Sequence, residues 1–184
     1  MSGLTELPED LPKPLDDSAC NHLLDFSLPN LSLLSAQGEW VNISNIEGYL
    51  VLYCYPMTGK PGVALPQGWN QIPGARGCTP QSCSFRDHYQ DLKELEAEVY
   101  GISTQTTVEQ AEAKKRLHLP FELLSDVNLE LAQALKLPTF EVENKCLLKR
   151  VTIIARSNRI VKVFYPVFPP NTNADEVITW LKAQ

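Results

Sequence analysis

The chain has 184 residues, 43% of them hydrophobic, which suits one domain with a buried core and is too short for two ordinary domains. The formal net charge of -6 argues against a nucleic-acid-binding surface and against a basic membrane patch. No apolar run approaches the ~20 residues of a membrane span, and the first residues lack a signal-peptide pattern. We therefore expect a cytoplasmic protein without nucleic-acid or membrane partners.

The chain has five cysteines, an odd number without the regular spacing of a disulfide framework. In a reducing cytosol such cysteines are free thiols, and one or two of them are expected to be reactive.

Residues 1–24 form an acidic, proline-rich arm that we expect to be disordered or to drape over the surface. Cys20 within it is interpreted as a solvent-side or lightly packed thiol. Residues 25–184 are predicted to form a single domain.

The domain begins with β patterns. Residues 31–42 predict a hairpin around the Gly38 turn, and residues 44–47 a short helical turn. Residues 49–55 are a continuous apolar run rich in β-formers, which is typical of a central strand buried on both faces. Cys54 in this run is interpreted as a core residue. The long Gly- and Pro-rich loop 56–77 follows the strand, at the edge where α/β sheets place their sites.

A helix is predicted after this loop and runs to about Glu96. Thr79 is a favoured N-cap and Pro80 suits the first helical position. Cys78 then lies just before the helix N-terminus, where free N–H groups and the helix dipole favour the thiolate, the reactive form of a thiol.

Cys83 lies five residues further on, within the same helix. Five residues of intact helix separate two Cα atoms by roughly 8.5 Å, on divergent faces. A disulfide needs less than about 7 Å. Cys78 and Cys83 can therefore pair only if the first helical turn unwinds.

The remaining elements alternate between strands and helices and end in a hairpin and a helix, which predicts an α/β sandwich with a mixed sheet. In order we predict a strand at 99–103, a helix at 108–117 capped by Thr107, a strand at 121–124, a helix to Leu135 capped by Asp126 or Asn128, an extended segment at 140–142, a hairpin of 150–155 with 159–164, and a helix at 174–183 capped by Asn173.

The segment Gly77–Asp87, with the sequence GCTPQSCSFRD, resembles the active-site segment of the peroxiredoxin Q (bacterioferritin comigratory protein) group. Residues 150–154 and 159–163 are similar to two later strands of that group, and the resemblance covers roughly residues 25–182. It implies a thioredoxin-like peroxiredoxin fold: α/β, with a central mixed β-sheet flanked by helices and an N-terminal β-hairpin.

The resemblance also implies a function, the thiol-dependent reduction of hydrogen peroxide and organic hydroperoxides. Cys78 would be the peroxidatic cysteine and become a sulfenic acid, and Cys83 would resolve it as an intramolecular disulfide. A thioredoxin or a similar thiol donor would reduce that disulfide. Arg150 would stabilise the thiolate and polarise the peroxide. No metal or organic cofactor is implied, and a monomer is the default.

The chain departs from the group in one place. Its members carry a Pro-x-x-x-Thr/Ser-x-x-Cys motif whose hydroxyl contacts the reactive sulfur, but here Ala75 occupies the hydroxyl position. Pro56 and Thr58 resemble the beginning of that motif, which indicates an insertion at residues 59–75. We predict that Thr58 returns to Cys78 as a hydroxyl donor, that Pro56 forms a pocket wall, and that the insertion bulges out. Arg76 is the alternative donor.

Two other functions stay open, a protein disulfide oxidoreductase and a redox sensor on the same fold. The four residues between the cysteines argue against the oxidoreductase, which favours Cys-x-x-Cys. If Cys83 is a core residue, then Cys20, Cys146 or an external thiol is the resolving partner. The Cys-x4-Cys spacing with one nearby His is a poor match to a zinc site.

Overall fold

The computed structural model describes residues 4–184. Its strands form one seven-stranded sheet and a separate two-stranded hairpin. The strands are β1 (Ser32–Ser35), β2 (Trp40–Asn42), β3 (Tyr49–Cys54), β4 (Ala97–Ser103), β5 (Leu123–Ser125), β6 (Thr139–Val142), β7 (Lys145–Leu148), β8 (Val151–Arg156) and β9 (Arg159–Phe164).

Five α-helices accompany the strands: α1 (Cys78–Asp87), α2 (Tyr89–Glu94), α3 (Thr107–Leu117), α4 (Glu130–Ala134) and α5 (Asn173–Lys182). Short 3₁₀ turns lie at Ile43–Asn45, Trp69–Gln71 and Pro170–Thr172.

The large sheet has the strand order β2-β1-β5-β4-β3-β8-β9. The pairs β3–β4 and β4–β5 are parallel, whereas β8 runs antiparallel to both of its neighbours and β1 pairs with β2 as the N-terminal hairpin. The sheet is thus mixed, with β3 near its centre. This is the thioredoxin-like arrangement expected, including the hairpin.

Strand β3 is buried on both faces, as its apolar run predicted. Leu50, Leu52 and Cys54 point into a core layer that α4 covers. Val51 and Tyr53 point into the opposite layer, beneath α1, α2, α3 and α5. Burial of both faces fixes the strand firmly, so the loop that leaves its end starts from a rigid position.

Several predicted helix boundaries were wrong. The helix predicted to reach Glu96 is interrupted at His88, so that α1 and α2 are separate. Thr106 caps α3 in place of Thr107, because its hydroxyl forms a capping box with Glu109. Asn173 does not cap α5 but lies buried in its first turn.

The hairpin β6–β7 extends a segment for which the sequence indicated one extended piece and a turn. The polar residues Glu143 and Asn144 both adopt positive φ at its tip, a conformation that favours glycine or asparagine.

Parts of the arm pack on the domain, although many of its residues are exposed; residues 1–3 lie outside the described residues. Asp17 accepts hydrogen bonds from Lys149 Nζ and Tyr165 Oη, both at 2.8 Å. The expectation that Cys20 is a solvent-side or lightly packed thiol is wrong, since it is buried in the core layer beside Leu23. Within residues 4–184, no helix combines the length and the apolar composition needed to cross a membrane.

Residues 59–75 do not simply bulge out. Residues 60–64, 67–68, 70–71 and 73 are exposed, whereas Trp69 and Ala75 are buried against Leu147 of β7. The Trp69 ring also packs on Phe140, with ring centroids 6.2 Å apart. The segment is therefore exposed along much of its length but is anchored beside the start of α1 by the buried Trp69 and Ala75.

Candidate active site

Helix α1 begins at Cys78, two residues earlier than predicted, and its N-cap is Gly77 and not Thr79. Gly77 adopts a φ of 107°, which glycine reaches without strain. Gln81 N–H donates to the Gly77 carbonyl at 3.0 Å, so the earlier backbone N–H groups have no partner within the helix. Pro80 therefore costs no hydrogen bond, although it is not the first helical residue.

Cys78 and Arg150 meet at this helix start. Arg150 Nη2 lies 3.2 Å from Cys78 Sγ, and both side chains are buried. The same nitrogen also donates to the carbonyls of Gly74, Ala75 and Arg76. A guanidinium held by several carbonyls has a fixed orientation, and it directs positive charge at the sulfur.

The sheet explains why residues distant in sequence meet here. In the antiparallel pair β3–β8, Cys54 lies opposite Val151, so the residue before Val151 lies at the end of β3. The loop from β3 leads to Cys78, and Arg150 immediately precedes β8. Both side chains therefore reach the same edge of the sheet.

Sequence reasoning missed a buried polar network behind Arg150. Arg150 Nη1 donates to Gln81 Oε1, and Gln81 Nε2 donates to Asn173 Oδ1 at 3.0 Å. The Thr152 hydroxyl donates to the same Asn173 oxygen at 2.7 Å. Gln81, Asn173 and Thr152 are fully buried, so the network links α1, α5 and β8 beneath Cys78. The signal available in sequence was a polar Gln81 on the same helix as both cysteines.

An aromatic floor supports α1. The Tyr53 ring stacks on Phe85 with centroids 4.6 Å apart, and its hydroxyl donates to Ser82 Oγ at 3.1 Å. A Cβ added to Gly101 on the neighbouring strand would approach Tyr53 Oη to 2.6 Å. Any larger residue at position 101 would therefore displace the Tyr53 ring.

Cys83 is half-buried and does not share the cavity of Cys78. The intact helix keeps the two thiols on different faces, as the spacing predicted. Burial is the main cause that raises the pKa of the Cys83 thiol, although the nearby Arg86 opposes it. Burial and the acidic Asp17 also raise the pKa of Cys20, to about 12, which favours an unreactive thiol there.

Thr58 does not form the predicted hydrogen bond with Cys78 in this structure. Its hydroxyl donates to Gln105 Oε1 at 3.1 Å, and Gln105 Nε2 donates back to the Thr58 carbonyl at 3.2 Å. Pro56 is buried after β3, but it does not line the cavity at Cys78. Arg76, the alternative donor, does line that cavity.

The cavity at Cys78 is very small, about 10 Å³, and it adjoins a groove of about 730 Å³. Met57, Gly59 and Leu65 line both. The groove continues past the exposed side chains of Val63, Val108 and Val127 and past Cys146. No group of three or more His, Cys, Asp or Glu side chains placed to hold a metal ion occurs within the described part of the chain.

Comparison with known proteins shows the family to which the chain belongs. The model of the AhpC/TSA family matches residues 71–164, just over half of the chain. Peroxiredoxin Q of Oryza sativa subsp. japonica, a chloroplastic protein, is 31% identical over 84% of this chain, which spans 64% of that relative's length. Chloroplastic peroxiredoxin Q of Sedum lineare is 30% identical over 84% of this chain and 75% of its own length.

Among solved structures, peroxidoxin BcpB of Mycobacterium tuberculosis matches with a TM-score of 0.72 and 24% identity, covering 87% of this chain and 96% of its own. This likeness supports the thioredoxin-like fold. The family match covers both Cys78 and Arg150, the two residues that the fold brings together. The chain therefore belongs to the AhpC/TSA family of peroxiredoxins and is similar to its peroxiredoxin Q members.

Proposed function

We propose that the protein is a thiol peroxidase that reduces hydrogen peroxide and organic hydroperoxides through Cys78. The observation that carries the proposal is the 3.2 Å approach of Arg150 Nη2 to Cys78 Sγ at the first residue of α1. A cation and the free N–H groups of a helix start both favour a thiolate and a developing negative charge on a peroxide oxygen.

In the first step the Cys78 thiolate attacks one peroxide oxygen and the O–O bond breaks. The sulfur is oxidised to a sulfenic acid, and the other oxygen leaves with a proton as water or as an alcohol. Gln81 and the loop carbonyls hold Arg150 beside Cys78 Sγ, where its positive charge stabilises the thiolate and the negative charge that develops on the leaving peroxide oxygen. The groove next to the cavity exposes the apolar side chains of Val63, Val108 and Val127, which supports the inclusion of organic hydroperoxides among the substrates.

In the second step Cys83 attacks the sulfenic sulfur, forming the Cys78–Cys83 disulfide and releasing water. The first turn of α1 must unwind, because an intact helix keeps the two Cα atoms roughly 8.5 Å apart. Until then burial keeps Cys83 in its thiol form, as its raised pKa indicates. A thioredoxin-like dithiol restores both thiols by exchange and is itself oxidised.

The proposal extends to partners and compartment. We expect a monomer in the cytoplasm or another reducing compartment, which fits five cysteines without a disulfide among them in the described residues. Neither nucleic acid nor a cofactor enters the reaction.

The test is peroxide consumption with a thioredoxin system. We expect Cys78→Ser to be inactive and Cys83→Ser to react once and then stall with a trappable sulfenic acid. Cys146→Ser, a half-buried thiol in the groove, is the matched control and should retain activity. Turnover separates this function from a redox sensor, which would form the disulfide without steady consumption. Full turnover by Cys78→Ser would refute the proposal.

A further inference from the structure

We propose that Leu4 and Leu7 gate the Cys78 cavity, so that residues 4–14, here called the strap, set which peroxides reach the sulfur. This inference rests on the proposed function, because a gate for peroxides matters only if Cys78 reacts with them. Leu4 lines the cavity of Cys78. The next residues, Thr5 to Leu7, line the separate cavity of Cys83. One short stretch of chain therefore covers both thiols.

The strap lies against backbone on both sides of the cavity. A Cβ added to Gly59 would approach Leu4 Cδ2 to 2.7 Å, and one added to Gly77 would approach Leu7 Cδ2 to 2.8 Å. Such distances mean that Leu4 and Leu7 occupy the space beside Gly59 and Gly77, two glycines that line the cavity together with Cys78. The closed strap is thus seated on the helix start itself.

The size of the cavity shows that the closed strap excludes substrate. A volume of about 10 Å³ is the room that one water molecule needs. Hydrogen peroxide has two oxygen atoms, and an organic hydroperoxide is larger still. Something must move before either reaches Sγ, and Leu4 is the wall of the cavity that comes from outside the folded core.

The attachments of the strap favour such movement. Within the part of the chain that the structure describes, no hydrogen bond joins residues 4–14 to the domain. Apolar contacts hold the strap. Its C-terminal end is fixed in two places: Pro14 packs on Gly74, where an added Cβ would lie 3.5 Å from Pro14 Cβ, and Asp17 just beyond the strap binds Lys149. A segment held this way opens at low free energy, with residues 14–17 as the fixed end.

The gate also connects the two steps of the reaction. Unwinding of the first turn moves Gly77, on which Leu7 rests, so the strap must leave before Cys78 can reach Cys83. Opening therefore admits the peroxide and frees the helix start for disulfide formation.

The experiment measures alkylation of Cys78 by iodoacetamide in the reduced full-length protein, followed by peptide mass spectrometry. We expect Cys78 to be alkylated at least about fivefold faster in Leu4→Ala/Leu7→Ala. Both leucines are half-buried, so their truncation removes apolar contact area that holds the strap closed. Leu11→Ala is the matched control, because Leu11 belongs to the strap but lines a different cavity, beside Asn70 and Gln71. It should alkylate at the wild-type rate.

A second variant, Leu4→Phe, keeps the proposal testable if the double variant unfolds: a larger apolar side chain should slow alkylation or leave it unchanged. Equal rates in the wild type and a folded double variant, or faster alkylation in Leu4→Phe, would overturn the gate. Alkylation needs no peroxide, so a gated thiol in a protein that consumes no peroxide would refute only the proposed function. With active protein, the double variant should gain more rate with cumene hydroperoxide than with hydrogen peroxide.

Discussion

Arg150 Nη2 lies 3.2 Å from Cys78 Sγ, although 72 positions separate the two residues in the chain. The guanidinium is buried and donates its other hydrogen bonds to Gln81 and to three loop carbonyls. The sulfur therefore has a neighbouring cation whose position is set by the fold and not by the side chain's own preferences.

Replacing this cation should slow oxidation of the sulfur. Arg150→Lys removes the planar group that reaches Cys78, Gln81 and the loop at once. A hydrogen bond to a charged group is worth about 1.5–3 kcal/mol, so we expect Cys78 oxidation to slow by about 10- to 100-fold in single-turnover stopped-flow measurements.

Arg156→Lys is the control for that measurement. Arg156 lies at the other end of β8, where it stacks over the Tyr49 ring at 4.8 Å. Its replacement should leave the oxidation rate within about twofold of the wild type. A wild-type rate in Arg150→Lys would remove Arg150 from the mechanism.

The Thr58 variant tests a role predicted from sequence. Because the Thr58 hydroxyl donates to Gln105, we expect Thr58→Val to cost about 1 kcal/mol of unfolding free energy and to leave Cys78 oxidation nearly unchanged. Urea unfolding and single-turnover oxidation are the two measurements. Gln105→Leu should reproduce the loss of stability. If Thr58→Val instead slows oxidation as much as Arg150→Lys does, the predicted contact with the sulfur forms during the reaction.

Gly77 should be much less tolerant of alanine than another glycine with positive φ. In Gly77→Ala the new Cβ would lie 2.4 Å from Pro170 Cγ, whereas nothing lies within 4 Å of a Cβ at Gly38. Both substitutions carry the strain of a left-handed backbone, about 1–2 kcal/mol. Overpacking should add about 1–3 kcal/mol at Gly77 alone, measured by urea unfolding. Equal losses of stability would show that the contact with Pro170 relaxes freely.

The contact of the arm with the domain should weaken in acid. The hydrogen bond from Lys149, and then that from Tyr165, lower the pKa of Asp17 to about 2 from an ordinary 3.8. Because the folded state prefers the charged carboxylate, its contribution is complete above the unfolded pKa and is lost as the pH falls from about 4 to 2. NMR titration of the Asp17 carboxyl should give this low midpoint.

Asp17→Asn should remove that pH dependence from the signals of Lys149 and Tyr165. Asp16→Asn is the control, because the Asp16 carboxylate accepts only from the nearby Ser18 N–H among the described contacts. A normal midpoint for Asp17 would mean that the arm is not held at this point in solution.

The sequence by itself determined the elements that local pattern encodes. The apolar run of β3, the hairpin turn at Ser157 and Asn158, and the placement of Cys78 at a helix start all follow from residues close together in the chain. The distance between Cys78 and Cys83 also follows from helix geometry alone. The resemblance of residues 77–87 and 150–154 to a known group then predicted that Cys78 is the peroxidatic thiol.

Only the tertiary structure decided what surrounds that thiol. The register of β3 on β8 brings Arg150 to the sulfur, and packing buries Gln81 and Asn173 behind it, since contacts across the sheet depend on pairing and not on local sequence. The same reason explains two features that the sequence did not specify. The Thr58 hydroxyl donates to Gln105 on a neighbouring loop. The arm, predicted to be disordered or to drape over the surface, packs two leucines beside Gly59 and Gly77. Packing contacts between side chains from distant parts of the chain leave no periodic pattern in the sequence. They can therefore be identified only in the folded structure.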